Sequence, residues 1–319
     1  MKKLLVSIFS IVLALFASIP WLIDLKDNTA KTTIPLCKTE MSACHSEAKE
    51  ATAHVSSSCC EMKEGVSTSA TVQFASFVND QSFVNKHEEP LAFAFEGEGG
   101  KITFKTPDGK EGTGWEIKAK KKTKNYIFVI HEWWGLNDYI KKEAENIANA
   151  LGNVHVIALD LYDGQVATSR EDAMKYMQSV KSERAQAIIK GATEYAGKKA
   201  NIGTVGWCFG GGWSLQASLL LGKQAKACVI YYGMPEKDVE KLKTLNPDVL
   251  GIFASQEQFI SPKIVAEFEE NMKKAGKKVT IKNFDADHAF ANPSNPKYNK
   301  QFAEEAMAMT IQFFKDKLR

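Results

Sequence analysis

NIGTVGWCFGGGWSLQASLLL, Asn201 to Leu221, is the stretch whose reading decides the fold. It opens with a short apolar run, Ile202 to Val205, of strand length. It turns through Gly206-Trp207-Cys208-Phe209-Gly210 and continues as small and apolar residues at helical spacing. A strand, a sharp turn and a helix form the context in which a G-x-S-x-G pentapeptide lifts a nucleophile above a sheet, here with cysteine in place of serine. The glycines have a physical task, because a residue raised in a strained turn needs neighbours without Cβ atoms. A thiol at that point sits at a helix N-terminus, where backbone N–H groups and the helix dipole favour a thiolate. The competing reading is a Gly-rich turn holding an inert buried cysteine.

Outward from this stretch, apolar runs of strand length recur at Tyr126–Ile130, Val154–Leu159, Ala227–Tyr232, Val249–Ala254 and Val279–Phe284. Amphipathic segments lie between and after them, at Asp138–Ala150, Arg170–Tyr195 (with a break expected), Ile264–Ala275 and Gln301 to the C-terminus. Such alternation predicts an α/β fold, a mostly parallel sheet with helices on both faces, and functional groups at the C-terminal ends of the strands. Before it, Lys101–Lys105 and Gly114–Ala119 flank Pro107-Asp108-Gly109 and read as a hairpin.

The chain of 319 residues is 44% hydrophobic and 25% charged, enough for one large core or two modest ones. A formal net charge of +3, with no basic run interleaved with aromatics, gives nucleic-acid binding no support. The one cationic cluster, Lys118 to Lys124, reads as a solvated loop. Lys2 and Lys3 precede an apolar run from Leu4 to Ile23, so residues 1–25 read as an export signal or an uncleaved membrane anchor. An exported protein, periplasmic or anchored facing outward, is the expectation. Residues 26–90 form a segment of weak periodicity that holds Cys37, Cys44, His45, His54, Cys59 and Cys60. Disulfides, a soft-metal site on those six residues and an unstructured tether are the three readings of that segment. The strand–helix domain is expected over 91–319.

The candidate chemistry lies on four segments at strand C-termini. Cys208 is on the turn, Glu257 follows the run Gly251–Ala254, and His288 follows the last strand in DADHAF. The order nucleophile, acid, histidine is that of the α/β-hydrolases. In this scheme His288 takes the thiol proton while Glu257 fixes the imidazole tautomer, with Asp285 and Asp287 as competing carboxylates. The fourth segment, His131-Glu132-Trp133-Trp134-Gly135, follows the strand Tyr126–Ile130. A loop there supplies one oxyanion-hole donor, so the backbone N–H groups of Trp133 and Phe209 are the expected pair.

HEWWG, ALDLYDG (Ala158 to Gly164), GWCFGG, QEQFISP and DADHAF together resemble the dienelactone hydrolase (carboxymethylenebutenolidase) family, over roughly Lys101 to Arg319. The resemblance implies a Cys208-His288-Glu257 triad, with glutamate where the family usually has aspartate. It also implies that Glu132 holds the nucleophile in check and assists its ionisation. For substrate it implies Arg170 as one arm of a carboxylate clamp, with Trp134 and Tyr162 near the bound molecule. The second arm of the clamp falls on Asn292, where the family has arginine.

The expected activity is that of an exported cysteine hydrolase acting on a small-molecule ester, lactone or thioester through an acyl-cysteine, with no cofactor. One alternative keeps the fold without catalysis and uses the Cys/His-rich segment to bind metal or tether partners in the envelope. Another gives Cys208 a thiol redox role.

Overall fold

The apolar runs assemble into one sheet of eight strands, in the order β1-β2-β4-β3-β5-β6-β7-β8. The strands are β1 (Gly100–Lys105), β2 (Glu111–Ile117), β3 (Asn125–Ile130), β4 (His155–Leu159), β5 (Asn201–Trp207), β6 (Ala225–Tyr231), β7 (Asp248–Ala254) and β8 (Val279–Phe284). The structure is a computed structural model and describes residues 70–318; the signal or anchor and the six Cys and His candidates of the N-terminal segment lie outside them. Among the described residues no helix is long and apolar enough to cross a membrane.

The pairings of β1 with β2 and of β2 with β4 are antiparallel, and every other pairing is parallel. Phe128, Val129 and Ile130 are all fully buried in β3, and Val205 to Trp207 are buried in β5. Successive strand residues point to opposite faces, so both faces of the sheet are covered. The cover comes from α3 (Asp138–Leu151), α4 (Arg170–Ser179), α5 (Ser182–Ala196), α6 (Phe209–Leu221), α7 (Val239–Lys243), α8 (Pro262–Lys274) and α9 (Lys300–Lys317). The segment read as one broken helix is indeed two, α4 and α5, parted at Val180 and Lys181, whose backbones are extended. Asn137 and Ser169 start α3 and α4 as side-chain N-caps, accepting from the N–H groups of Ile140 and Asp172.

Strand order reverses around β3. Its partner β4 lies on one side and β5 on the other, so the loop after β3 and the turn after β5 face each other where Ile130 pairs with Gly206. That junction is the topological switch point at which open α/β sheets hold their ligands.

Packing begins earlier than the expected boundary at residue 91. Ahead of the sheet, α1 (Ala70–Ala75), a 3-10 turn (Ser76–Asn79) and α2 (Gln81–Asn85) form a strap. Phe74, Phe83 and Val84 of this strap are buried in the same core as the sheet. Phe83 makes edge-on contacts with Trp133 at 5.7 Å and with Phe259 at 5.1 Å. Helices of six and five residues are too short to show a hydrophobic period, and tertiary burial holds them in place of propensity.

Candidate active site

Cys208 stands between β5 and α6 with φ 55° and ψ −119°, a region that side-chain-bearing residues rarely occupy. The flanking glycines show why the turn has this sequence. A Cβ on Gly206 would lie 2.1 Å from the carbonyl oxygen of Gly210. One on Gly210 would lie 2.3 Å from the carbonyl oxygens of Ile130 and His131. Helix α6 therefore starts directly against the loop that follows β3, and the backbone N–H of Phe209 turns toward the sulfur.

His288 and Glu257 come to this turn from the ends of β8 and β7. The Nδ1 of His288 is hydrogen-bonded to Glu257 Oε2, and Glu257 Oε1 accepts from the Phe259 N–H at 3.0 Å. Asp285 instead accepts from Ser255 and Gln256, and Asp287 pairs with Lys86 and Lys297. The carboxylate on the imidazole is thus Glu257. Burial would push Glu257 up, but the His288 imidazolium holds it down at about 2. Burial would likewise push His288 down, and the Glu257 carboxylate outweighs it, leaving the imidazole well above its ordinary value.

The sulfur is 1% exposed, and this burial changes the expectation of a thiolate. Burial raises the Cys208 thiol above its usual value; the His288 charge and the Phe209 N–H pull the other way without overturning it. His288 Nε2 lies within 4.8 Å of the sulfur, close enough to favour an imidazolium–thiolate pair.

Glu132 is buried, and burial lifts its carboxyl to about 7. Its partner is Asn292, whose Nδ2 donates to Oε2 at 2.7 Å. The residue standing in place of the second clamp arginine therefore holds the loop carboxylate. The other residues of the loop are fixed from below. The Leu161 N–H donates to His131 Nε2 at 3.1 Å, and the Tyr162 hydroxyl donates to the Trp133 carbonyl at 3.2 Å. Tyr162, expected near substrate, braces this loop; Trp134 lines a narrow crevice together with Glu132, Trp207 and Asn292. Arg170 is also engaged, its Nε donating to the His87 carbonyl at 2.8 Å and its Nη2 pairing with Glu88 at 2.8 Å.

The residue that sequence reasoning missed is His87. It is 2% exposed, its ring stacks on Trp133 at 4.4 Å and 15°, and its Nε2 lies 3.6 Å from Cys208 Sγ. Burial pushes its imidazole down to about 3, so it is neutral. In KHEEP it reads as one more polar residue of a solvated linker, and only the run of phenylalanines before it hints at packing. His87 lies against the Cys208 sulfur with Phe83 packed on its ring, and the segment that carries them is tied to the body through Arg170 and through Lys86 on Asp287 at 2.9 Å. Among the described residues four buried side-chain polar atoms have no partner, and three of them surround this site: Trp133 Nε1, Tyr232 Oη and His288 Nε2. Unsatisfied groups of that kind concentrate where a ligand or reacting group is received.

The model of the dienelactone hydrolase family matches residues 115–318. The chain is 26% identical over 204 residues to the protein usf of Aquifex pyrophilus, covering 60% of this chain and 88% of that one. It is 23% identical over 203 residues to the carboxymethylenebutenolidase of a Pseudomonas species, covering 59% and 83%. Among solved structures it resembles a dienelactone hydrolase-like promiscuous phosphotriesterase from metagenomic libraries. That similarity has a TM-score of 0.59 at 17% identity, over 70% of this chain and 100% of the other. The strap residues Phe74, Phe83 and His87 precede the family match.

Proposed function

Because the chain belongs to the dienelactone hydrolase family, we propose that it is a carboxylic ester hydrolase with Cys208 as nucleophile, acting on an ester, lactone or thioester through an acyl-cysteine. The observation that carries this reading is the meeting, at one buried point, of the strained Cys208 turn and the His288–Glu257 pair. With the thiol proton on His288 Nε2, the sulfur of the imidazolium–thiolate pair attacks the acyl carbon, and the Glu257 carboxylate stabilises the imidazolium. The N–H groups of Phe209 and Trp133 receive the developing oxyanion, and His288 then activates the water that releases the acid. Glu132, ionising near pH 7, is the second group that can relieve the thiol of its proton.

The substrate class follows from the two arms of the clamp. Asn292 donates to Glu132 and Arg170 is held by the strap, so a neutral or singly charged acyl group fits better than a dienelactone carboxylate. Export is proposed from Lys2, Lys3 and the apolar run Leu4 to Ile23, with retention at the membrane as the alternative to cleavage. The test is hydrolysis of p-nitrophenyl acetate beside dienelactone by the full chain and by Asn292→Arg. The proposal expects the neutral ester to be preferred and the substitution to raise kcat/KM for dienelactone. An unchanged preference for dienelactone would remove the substrate assignment.

A further inference from the structure

Three ligating atoms converge under the strap, and the triad accounts for only two of them. Cys208 Sγ, His288 Nε2 and His87 Nε2 all lie within 4.8 Å of one another. Hydrogen bonds on the far side of each ring fix its tautomer. His87 Nδ1 is 2.9 Å from the Phe83 carbonyl oxygen, which can only accept, so Nδ1 carries the hydrogen and Nε2 a lone pair. His288 Nδ1 faces the Glu257 carboxylate, which also only accepts, so its Nε2 has a lone pair whenever the ring is neutral. With His288 neutral, two imidazole lone pairs and one sulfur share a single proton. Wherever that proton sits, one acceptor is left facing another. A second proton, on His288, places an N–H beside the sulfur, and a cation competes with that proton for the same three atoms.

A cation satisfies all three. Zinc holds thiolate sulfur at about 2.3 Å and imidazole nitrogen at about 2.0–2.1 Å, which at a tetrahedral angle puts S and N about 3.6 Å apart. Cys208 Sγ and His87 Nε2 are 3.6 Å apart. The Nδ1 partners, a backbone carbonyl and a carboxylate, are the outer groups that orient metal-binding imidazoles. All three side chains are 98% buried or more, and His288 Nε2 is a partnerless atom facing the others.

We propose that His87, Cys208 and His288 form a binding site for a borderline-soft transition-metal cation of the Zn2+ type, and that its occupation pins the strap over the nucleophile and shuts off turnover. Binding forms two N–metal bonds and one S–metal bond, breaks the S–H bond and, where His288 is protonated, its Nε2–H bond, and releases those protons to solvent. A fourth position is left for water. The binding half stands on geometry alone; the inhibitory half rests on the hydrolase reading.

The experiment uses the full chain with Cys37, Cys44, Cys59 and Cys60 replaced by serine, so that Cys208 and Cys228 are the remaining thiols. Anaerobic titration with Co2+ is read by absorption, and Zn2+ is then added in competition. We expect one Co2+ per chain with a thiolate-to-cobalt charge-transfer band, erased by Zn2+ and absent in Cys208→Ala. His87→Phe keeps an aromatic ring on Trp133 and removes the ligand. It should weaken Co2+ by more than about a hundredfold, beyond what loss of an outer partner costs. His87→Gln repeats the test should the aromatic variant fail to fold. Zn2+ should also inhibit ester hydrolysis by the parent and spare His87→Phe. No charge-transfer band in the parent, or Co2+ affinity in both His87 variants equal to the parent's, overturns the site. A band and a His87 effect without hydrolysis in any form would leave the site standing and remove the catalytic reading.

Discussion

The two segments that meet at Cys208 are built on different principles. The turn between β5 and α6 is local. Gly206 and Gly210 are required by atoms at most four residues away or in the adjacent loop, and the pattern can be read in five letters. The strap from Ala70 to His87 is held almost entirely by distant partners, Trp133, Phe259, Arg170 and Asp287. One segment holds the proposed nucleophile and lies inside the family match. The other precedes that match and closes the chemistry off. A fold shared with many relatives can thus be governed by a short piece that none of its motifs includes.

The largest effect is expected at the turn. Cys208→Ala should lower kcat/KM on p-nitrophenyl acetate by about a thousandfold or more, with circular dichroism unchanged. His288→Ala should match it, and the double variant should be little worse, because nucleophile and base act as a unit. A tenth of the parent activity remaining in Cys208→Ala would leave the turn without a catalytic role.

At the strap the effect reverses sign. Truncating a buried phenylalanine costs about 3–5 kcal/mol. If Phe83→Ala spends this on local docking, iodoacetamide should label Cys208 at least about tenfold faster, read on its own peptide by mass spectrometry. The melting temperature of the body should fall little. Unchanged labelling with a collapsed melting temperature would make the strap an ordinary part of the core.

Glu132 links the two segments through pH. Its carboxyl is raised to about 7, so it is protonated below that value and a carboxylate above it. The carboxylate can take the Cys208 proton, so kcat/KM should climb through pH 7 and the climb should vanish in Glu132→Gln. Stability moves the other way. The folded state holds this proton more tightly than the unfolded chain between about pH 4.3 and 7, so the group's contribution falls as pH rises through that window.

The smallest effect belongs to Arg170, which is one-third exposed. Arg170→Ala should speed Cys208 labelling a few-fold and treat neutral and carboxylate-bearing esters alike. A selective loss on the carboxylate-bearing ester would return Arg170 to the clamp implied by the family resemblance.

What could be read in advance follows the same divide. The parallel sheet, its helices and the positions of Cys208, Glu257, His288 and Glu132 rest on short patterns with local causes: apolar runs, glycines at a crowded turn, loops after strands. The roles of Arg170, Asn292 and Tyr162 did not follow, because each depends on a partner far away in sequence: the His87 carbonyl, Glu132 and the Trp133 carbonyl. The balance of forces on the thiol did not follow from sequence either. The helix terminus is visible in the letters, but the burial that opposes it is not, and one group against the sulfur, His87, lies more than a hundred residues upstream.

The central claim is that an acyl group passes through the Cys208 sulfur. The direct measurement is acid quenching of the full chain during turnover of p-nitrophenyl acetate, followed by intact-mass and peptide analysis. One acetyl group on the peptide containing Cys208, absent in Cys208→Ala and accumulating in His288→Ala less than in the parent, is the predicted result. Steady turnover with no acyl group on that peptide, or with the group on another residue, would contradict it.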